Sequence, residues 1–312
     1  MTDTAVSESG LTRPGNAGAV PQLPLAEPKD YIACMKPRVM TLVVFTALVG
    51  LIAAPGSVHP VLAAASIVLI AIGAGASAAL NMWWDADIDK IMARTAARPT
   101  AGGNVTRQEA LTLGLVLSVF STVLLGLVAG VTAAAILGIT IAFYALVYTM
   151  WLKRRTDQNI VIGGAAGAFP PMIGWAVVTD SVTLSSISLF LIIFFWTPAH
   201  FWALSLFVNT DYQKAGVPML TVTSPRQSVA RQVCLYAVMT ALISVAPVAL
   251  GFAGWIYGIA AVGLGLRFVQ WSVRVLKGMK DADRGMFLYS ITYLFALFGA
   301  LAADVLITEW VL

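Results

Sequence analysis

The stretch Ala79-Leu80-Asn81-Met82-Trp83-Trp84-Asp85-Ala86-Asp87-Ile88-Asp89-Lys90 decides the fold. It closes a run from Val61 to Leu80 that contains no charged residue. About 20 apolar residues in a helix cross the hydrocarbon core of a bilayer. Asp85, Asp87 and Asp89 then arrive together, followed by Lys90, Arg94 and Arg98. The charges gather where such a helix would meet water.

The rest of the chain has the same character. Of 312 residues, 59% are hydrophobic and 11% charged, and the mean hydropathy is +0.85. A soluble domain carries about 25% charged residues, and surface-to-volume scaling leaves it no way to bury this much apolar chain. Nine spans are expected, at 37–56, 61–80, 110–128, 131–150, 160–178, 183–207, 232–252, 254–273 and 287–308. All are read as helices, because an open strand edge does not survive in lipid. The sixth is expected to tilt or bend near Pro198. Runs such as Gly163-Gly164-Ala165-Ala166-Gly167-Ala168 suit close approach of helix backbones.

Residues 1–28 differ, being rich in Pro, Gly, Ser and Ala with Arg13 as their one basic residue. They lack the apolar core of a secretory signal and are read as a disordered cytoplasmic tail. Residues 29–312 form the membrane domain. Cys34 and Cys234 show no metal-ligand spacing and are read as buried apolar residues. His59 sits in a short loop and is read as solvated.

Lys and Arg fall on alternate loops. They precede the first span (Lys29, Lys36, Arg38) and fill the connections after the second, fourth, sixth and eighth, while the intervening loops hold none. The positive-inside rule puts the N-terminus in the cytoplasm and the C-terminus across the membrane. The connections after spans two and six are long, which points function to the cytoplasmic side.

Asn81, Asp85 and Asp89 stand at i, i+4 and i+8, on one helix face. Three oxygen-bearing side chains in a row repel as a salt-bridge stripe but suit Mg²⁺, a hard ion that shares its shell with phosphates. Lys90, Arg94 and Arg98 add cations for a diphosphate. The competing reading is a solvated helix end with mixed charges. A second polar stretch runs from Trp196 through His200 and Trp202 to Asn209, Asp211, Tyr212 and Lys214. Aligned without gaps, it places Ala203-Leu204 on Ala79-Leu80, Asp211 on Asp87 and Lys214 on Lys90. This faint repeat points to two acidic arms facing one cavity.

The first stretch, from Asn81 through Asp85, Asp89, Arg94-Thr95 and Arg98, closely resembles the signature of the UbiA superfamily of membrane prenyltransferases. Three further segments resemble its haem-farnesylating branch: Lys36-Pro37-Arg38, Thr156 to Pro171, and Trp196 to Leu220. The resemblance implies an all-α nine-helix bundle whose central cavity opens to the cytoplasmic side, in a bacterial-type inner membrane. It implies farnesyl diphosphate held through Mg²⁺ by Asn81, Asp85 and Asp89, with Asn209 and Asp211 as further metal ligands and Asp211 as a catalytic group. The family's second Asp-x-x-x-Asp motif is incomplete here.

The implied reaction joins the farnesyl group to the 2-vinyl group of haem b, with addition of water. Lys36, Arg38, Arg94, Arg98, Lys153 and Lys214 are the expected diphosphate-binding residues. Asn159, His200, Trp202, Tyr212 and Tyr148 are expected around the haem and prenyl groups, with Tyr144 and Tyr148 read either as cation shields or as packing. His200 has two readings, haem contact or a helix–helix hydrogen bond. Implied partners are the bilayer, the small-molecule substrates and a haem A synthase or oxidase assembly, with no nucleic acid. Two other readings stay open: an aromatic or quinone-precursor acceptor, and a transporter. A transporter site belongs near the midplane, whereas these acids gather at one end.

Overall fold

A computed structural model describes residues 26–311. The tail expected over residues 1–28 lies outside the described residues as far as position 25, and a helix, α1 (Pro28–Cys34), begins at Pro28. It meets α2 (Pro37–Ala53) at a bend of 55°. The remaining long helices are α3 (Pro60–Asp89), α4 (Arg107–Ala129), α5 (Val131–Ala142), α6 (Asn159–Thr179), α7 (Leu184–Phe207), α8 (Arg226–Ile243), α9 (Trp255–Leu276) and α10 (Ala282–Val311). Among the described residues, 8 helical segments are long and apolar enough to cross a membrane, and 9 when the bent α1–α2 pair counts as one. The chain is a multi-pass membrane protein.

Local chemistry explains where these helices begin. Proline stands at the first position of α2 and α3, where its missing N–H costs nothing. Thr106 and Glu109 form a reciprocal capping box at α4, and Thr183 with Ser186 does the same at α7. The helix of the second span runs on past Leu80 through the acidic stretch, making α3 30 residues long. Two expectations about spans need correction. The fourth leaves α-geometry, continuing from α5 as a π-helix over Phe143–Trp151 and a tight turn over Leu152–Arg154. The seventh breaks after Ile243 and resumes as the short helix Ala246–Ala249, which has Pro247 in its first turn. Around Pro198, α7 stays one continuous helix.

Two large apolar cores fill the bundle. One joins α3, α4, α5 and α6 through residues such as Ile70, Leu125, Leu137 and Ile173. The other joins α7, α8, α9 and α10 through Trp202, Val233, Phe268 and Tyr293. Helix α2 lies between them and packs on α6 with almost no spacing. A Cβ on Gly174 would overlap the Ala47 carbonyl oxygen, and one on Gly50 would overlap the Pro171 carbonyl. These glycines let two backbones touch where lipid gives helices no hydrophobic drive to associate. Away from the site, the intramembrane carboxylate Asp304 caps α9: it accepts from the backbone N–H groups of Gly254, Ile256 and Tyr257. Its charge is spent on structure.

The α2–α6 contact gives a direct prediction. Gly174→Leu should destabilise the protein by about 1–3 kcal/mol or more through overpacking. Gly263→Ala, where nothing stands within 4 Å of the added carbon, should be neutral or slightly stabilising. Thermal unfolding of detergent-purified protein measures both.

Candidate active site

The last two turns of α3 carry the site. Asn81, Asp85 and Asp89 are 3%, 0% and 1% exposed, so the i, i+4, i+8 face points into the bundle, while Asp87 points outward. A buried carboxylate needs a partner, and each has one from another segment. The Lys153 amine pairs with Asp85. Arg98 donates to both oxygens of Asp89 at 2.9 and 2.8 Å. Lys36 donates to Asn81 Oδ1 at 2.7 Å, and the Asn81 amide donates to Asp85 at 2.7 Å and to Thr149 at 3.1 Å. Arg154 clamps Asp87 with bonds of 2.8 and 2.7 Å and stands 3.7 Å from Asp85.

The backbone is shaped to deliver these side chains. Lys36 sits at the α1–α2 bend with φ 52° and ψ 57°, a left-handed conformation that a non-glycine residue adopts only under local constraint. The π-helix carries Tyr144, Tyr148 and Thr149, and its last turn passes to Lys153 and Arg154. Such π segments concentrate at functional sites. Tyr148 lies flat against Gly163, where any Cβ would run into its ring, and its centroid is 5.3 Å from that of Tyr144.

Two cavities share Tyr144 of the π-helix, and one of them reaches Lys36 of this polar cluster. One, about 160 Å³, is almost wholly apolar, runs between α2, α3, α5 and α6, and has Lys36 and Tyr144 in its wall. The other, about 450 Å³, is lined from α2, α6, α7 and α10 and contains Arg38, Tyr148, Trp196 and His200. Val39, Val43, Tyr144 and Gly167 line both.

The other expected residues separate into distinct roles. Arg94 and Lys214 are exposed, although the Arg94 backbone N–H lies 3.4 Å from Asp211 and so ties the two long loops together. Tyr212 is buried between those loops with Ile88, Met92 and Met219 rather than beside a cavity. Asn159 donates to the Thr156 and Pro218 carbonyls at 2.6 and 3.3 Å, pinning α6 to the second loop. Trp202 is wholly buried against Tyr236, centroids 5.5 Å apart, in the core of the α7–α10 half. It lines neither cavity, because helix phase turns it from the His200 side.

Among the described residues no three His, Cys, Asp or Glu side chains converge on a metal-sized site. Asp211, expected as a further ligand, accepts from the Arg94 backbone N–H, while Asp85 and Asp89 pair with Lys153 and Arg98. Asn81, Asp85 and Asp89 still fit a magnesium ion by donor chemistry, and Asp85 Oδ1 is buried without a hydrogen-bond partner. Arg154 and Thr149 were missed as site residues. The Lys153-Arg154-Arg155 triplet offered a signal for the first, and nothing local marked the second.

Known proteins resemble this chain in sequence and in fold. The UbiA prenyltransferase family profile matches residues 43–300. The chain is 55% identical over 296 residues to a protein named protoheme IX farnesyltransferase from Sinorhizobium fredii (strain NBRC 101917 / NGR234), covering 93% of each. Among solved structures it is similar to digeranylgeranylglyceryl phosphate synthase, with TM-score 0.74 and 17% identity over 89% of this chain and 98% of that one. It is also similar to a UbiA homologue from Archaeoglobus fulgidus bound to GPP and Mg²⁺, with TM-score 0.59 and 14% identity over 87% of this chain and 99% of that one. The two structural likenesses concern the fold. By sequence, fold and the buried Asn-Asp-Asp face together, this chain belongs to the UbiA prenyltransferase family.

Proposed function

We propose that the chain transfers the farnesyl group of farnesyl diphosphate to the 2-vinyl group of protohaem IX, with addition of water and release of diphosphate. The observation that carries this reading is the pair of chambers meeting at Tyr144 beneath one polar cluster. A bimolecular prenyl transfer needs a place for each reactant and a common wall where the reacting carbons meet. The relative named for protoheme IX supports the choice of acceptor.

Each side chain then has a task. Lys36, Lys153 and Arg98 ring the Asn81–Asp85–Asp89 face and would take the diphosphate, with arginine able to do so bidentately. Lys36 also walls the narrow apolar chamber, so a diphosphate there leaves the farnesyl chain next to lipid-like side chains. Asn81, Asp85 and Asp89 would hold Mg²⁺, which supplies charge neutralisation to the leaving diphosphate when bound. The Tyr144 and Tyr148 rings present π faces where an allylic cation would develop. Arg38, expected beside the diphosphate, instead lines the larger chamber with His200 and offers a guanidinium to a propionate.

In atom balance, the C1–O bond of the farnesyl diphosphate breaks and the vinyl terminal carbon bonds to C1. Water adds to the adjacent carbon and a proton is released. The basic loops lie at the site's end of the bundle. By the positive-inside rule that end faces the cytoplasm of a bacterial-type inner membrane, with the N-terminus on the same side.

Purified protein given haem b, farnesyl diphosphate and Mg²⁺ should yield a product whose mass equals haem b plus a farnesyl group plus a hydroxyl group, the proton of the added water having been released. Unchanged haem b alongside a prenylated aromatic acceptor would overturn the reading. Asp85→Asn should lower kcat by about 10²-fold or more, since it weakens the hold on the Mg²⁺ that would neutralise the leaving diphosphate. Chelating divalent ions should stop turnover, and Mg²⁺ should restore it.

A further inference from the structure

His200 is held more carefully than a helix–helix contact requires. Its ring is stacked between Trp196, with centroids 4.3 Å apart and planes at 16°, and Phe287, at 4.8 Å and 29°. Nδ1 lies 2.6 Å from the Ser290 hydroxyl on α10. That hydroxyl has one proton, and it donates it to the Phe287 carbonyl at 2.5 Å. With that proton on the carbonyl, the Ser290 oxygen accepts from His200, and the imidazole proton is assigned to Nδ1 from this hydrogen-bond network. In the neutral ring the lone pair is then on Nε2.

Ser290 also works through its backbone. Its carbonyl accepts from Trp196 Nε1 at 2.9 Å, fixing the indole that covers the imidazole. One residue thus sets the tautomer of His200 and the ring stacked on it. Nε2 makes no hydrogen bond among the described residues, and His200 lines the larger chamber. A purely structural bond to α10 would use Nδ1 and leave the orientation of Nε2 without purpose. Donation of one ring N–H to an oxygen, leaving the other nitrogen free, is the arrangement found in metal-ligating histidines.

We propose that Ser290 is a positioning residue that holds His200 so that Nε2 coordinates the iron of the tetrapyrrole substrate. This rests on the haem reading above. A single axial bond from one side fixes the macrocycle in the larger chamber, and a planar ring held at its centre keeps its vinyl edge free to react. The bond is to a substrate, so its strength must allow the product to leave. Coordination through one neutral imidazole meets that need.

The test uses the full chain in detergent, titrated with ferric haem b and, separately, with metal-free protoporphyrin IX. Absorption and resonance Raman spectra are read beside the affinities, and thermal unfolding confirms that each variant is folded. Wild-type protein should show a histidine-ligated iron, and His200→Ala should lose it. Ser290→Ala should weaken ferric haem binding about tenfold or more and shift the iron–histidine band of the reduced complex, while Ser290→Thr, which keeps a hydroxyl, recovers both. Metal-free protoporphyrin IX should bind all of these variants alike. An unchanged haem spectrum and affinity in Ser290→Ala would overturn the proposal, as would equal weakening of haem and metal-free porphyrin. If wild type ligates haem yet forms no farnesylated product, the functional reading falls and this inference stands. If product forms and Ser290→Ala behaves as wild type, only this inference falls.

Discussion

Two carboxylates, Asp85 and Asp89, are buried at the end of a membrane helix, and the architecture around them keeps that affordable. An unpaired buried charge would cost several kcal/mol. The cations around them come from three separate places: Lys36, bonded to the neighbouring Asn81, from the α1–α2 bend, Arg98 from the loop after α3, and Lys153 with Arg154 from the end of the π-helix. Each pairing therefore pins a different segment to α3. With Asp87 counted, three carboxylates face four cations, and the cluster carries a positive balance. That surplus suits an anionic ligand. The strained backbone at Lys36 and the departure from α-geometry over Phe143–Trp151 are local costs of bringing those partners in.

The same constraint divides the interior. The α3–α6 half and the α7–α10 half each have a core of their own, and α2 wedges between them through backbone contact at Gly50 and Gly174. The chambers lie on either side of this wedge and share Tyr144. A polar cluster at their common end can hold a diphosphate while the prenyl chain and the acceptor lie in different spaces. Chain connectivity, charge and volume converge on the same place.

The fold was legible in the sequence because its signals are one-dimensional: apolar length sets the spans, and alternation of basic loops sets their direction. The Asn81–Asp85–Asp89 face was legible for the same reason, since helical spacing is local. What failed depends on neighbours. Trp202 is two positions from His200 in sequence, yet helix phase sends one into a core and the other into a chamber. In lipid, helices are apolar on every side, so no amphipathic pattern reveals that phase. Tyr212 and Lys214 shared a motif-like stretch with Asp211, but the loop turns the tyrosine inward and the lysine out. Thr149 enters the site from the π-helix, whose side-chain register differs from that of the α-helix the sequence suggests. Ser290 meets His200 across 90 residues of chain.

The most direct test is isothermal titration of inorganic diphosphate with Mg²⁺ into the full chain, comparing wild type with Lys36→Met. Lys36 is the informative cation because its partner, Asn81, is neutral, so its removal strands no buried charge. Loss of one hydrogen bond to a charged group, worth about 1.5–3 kcal/mol, should weaken binding roughly 10- to 100-fold with unfolding temperature unchanged. Diphosphate binding equal to wild type in Lys36→Met would contradict the account, since the cations would then serve only to balance Asp85 and Asp89.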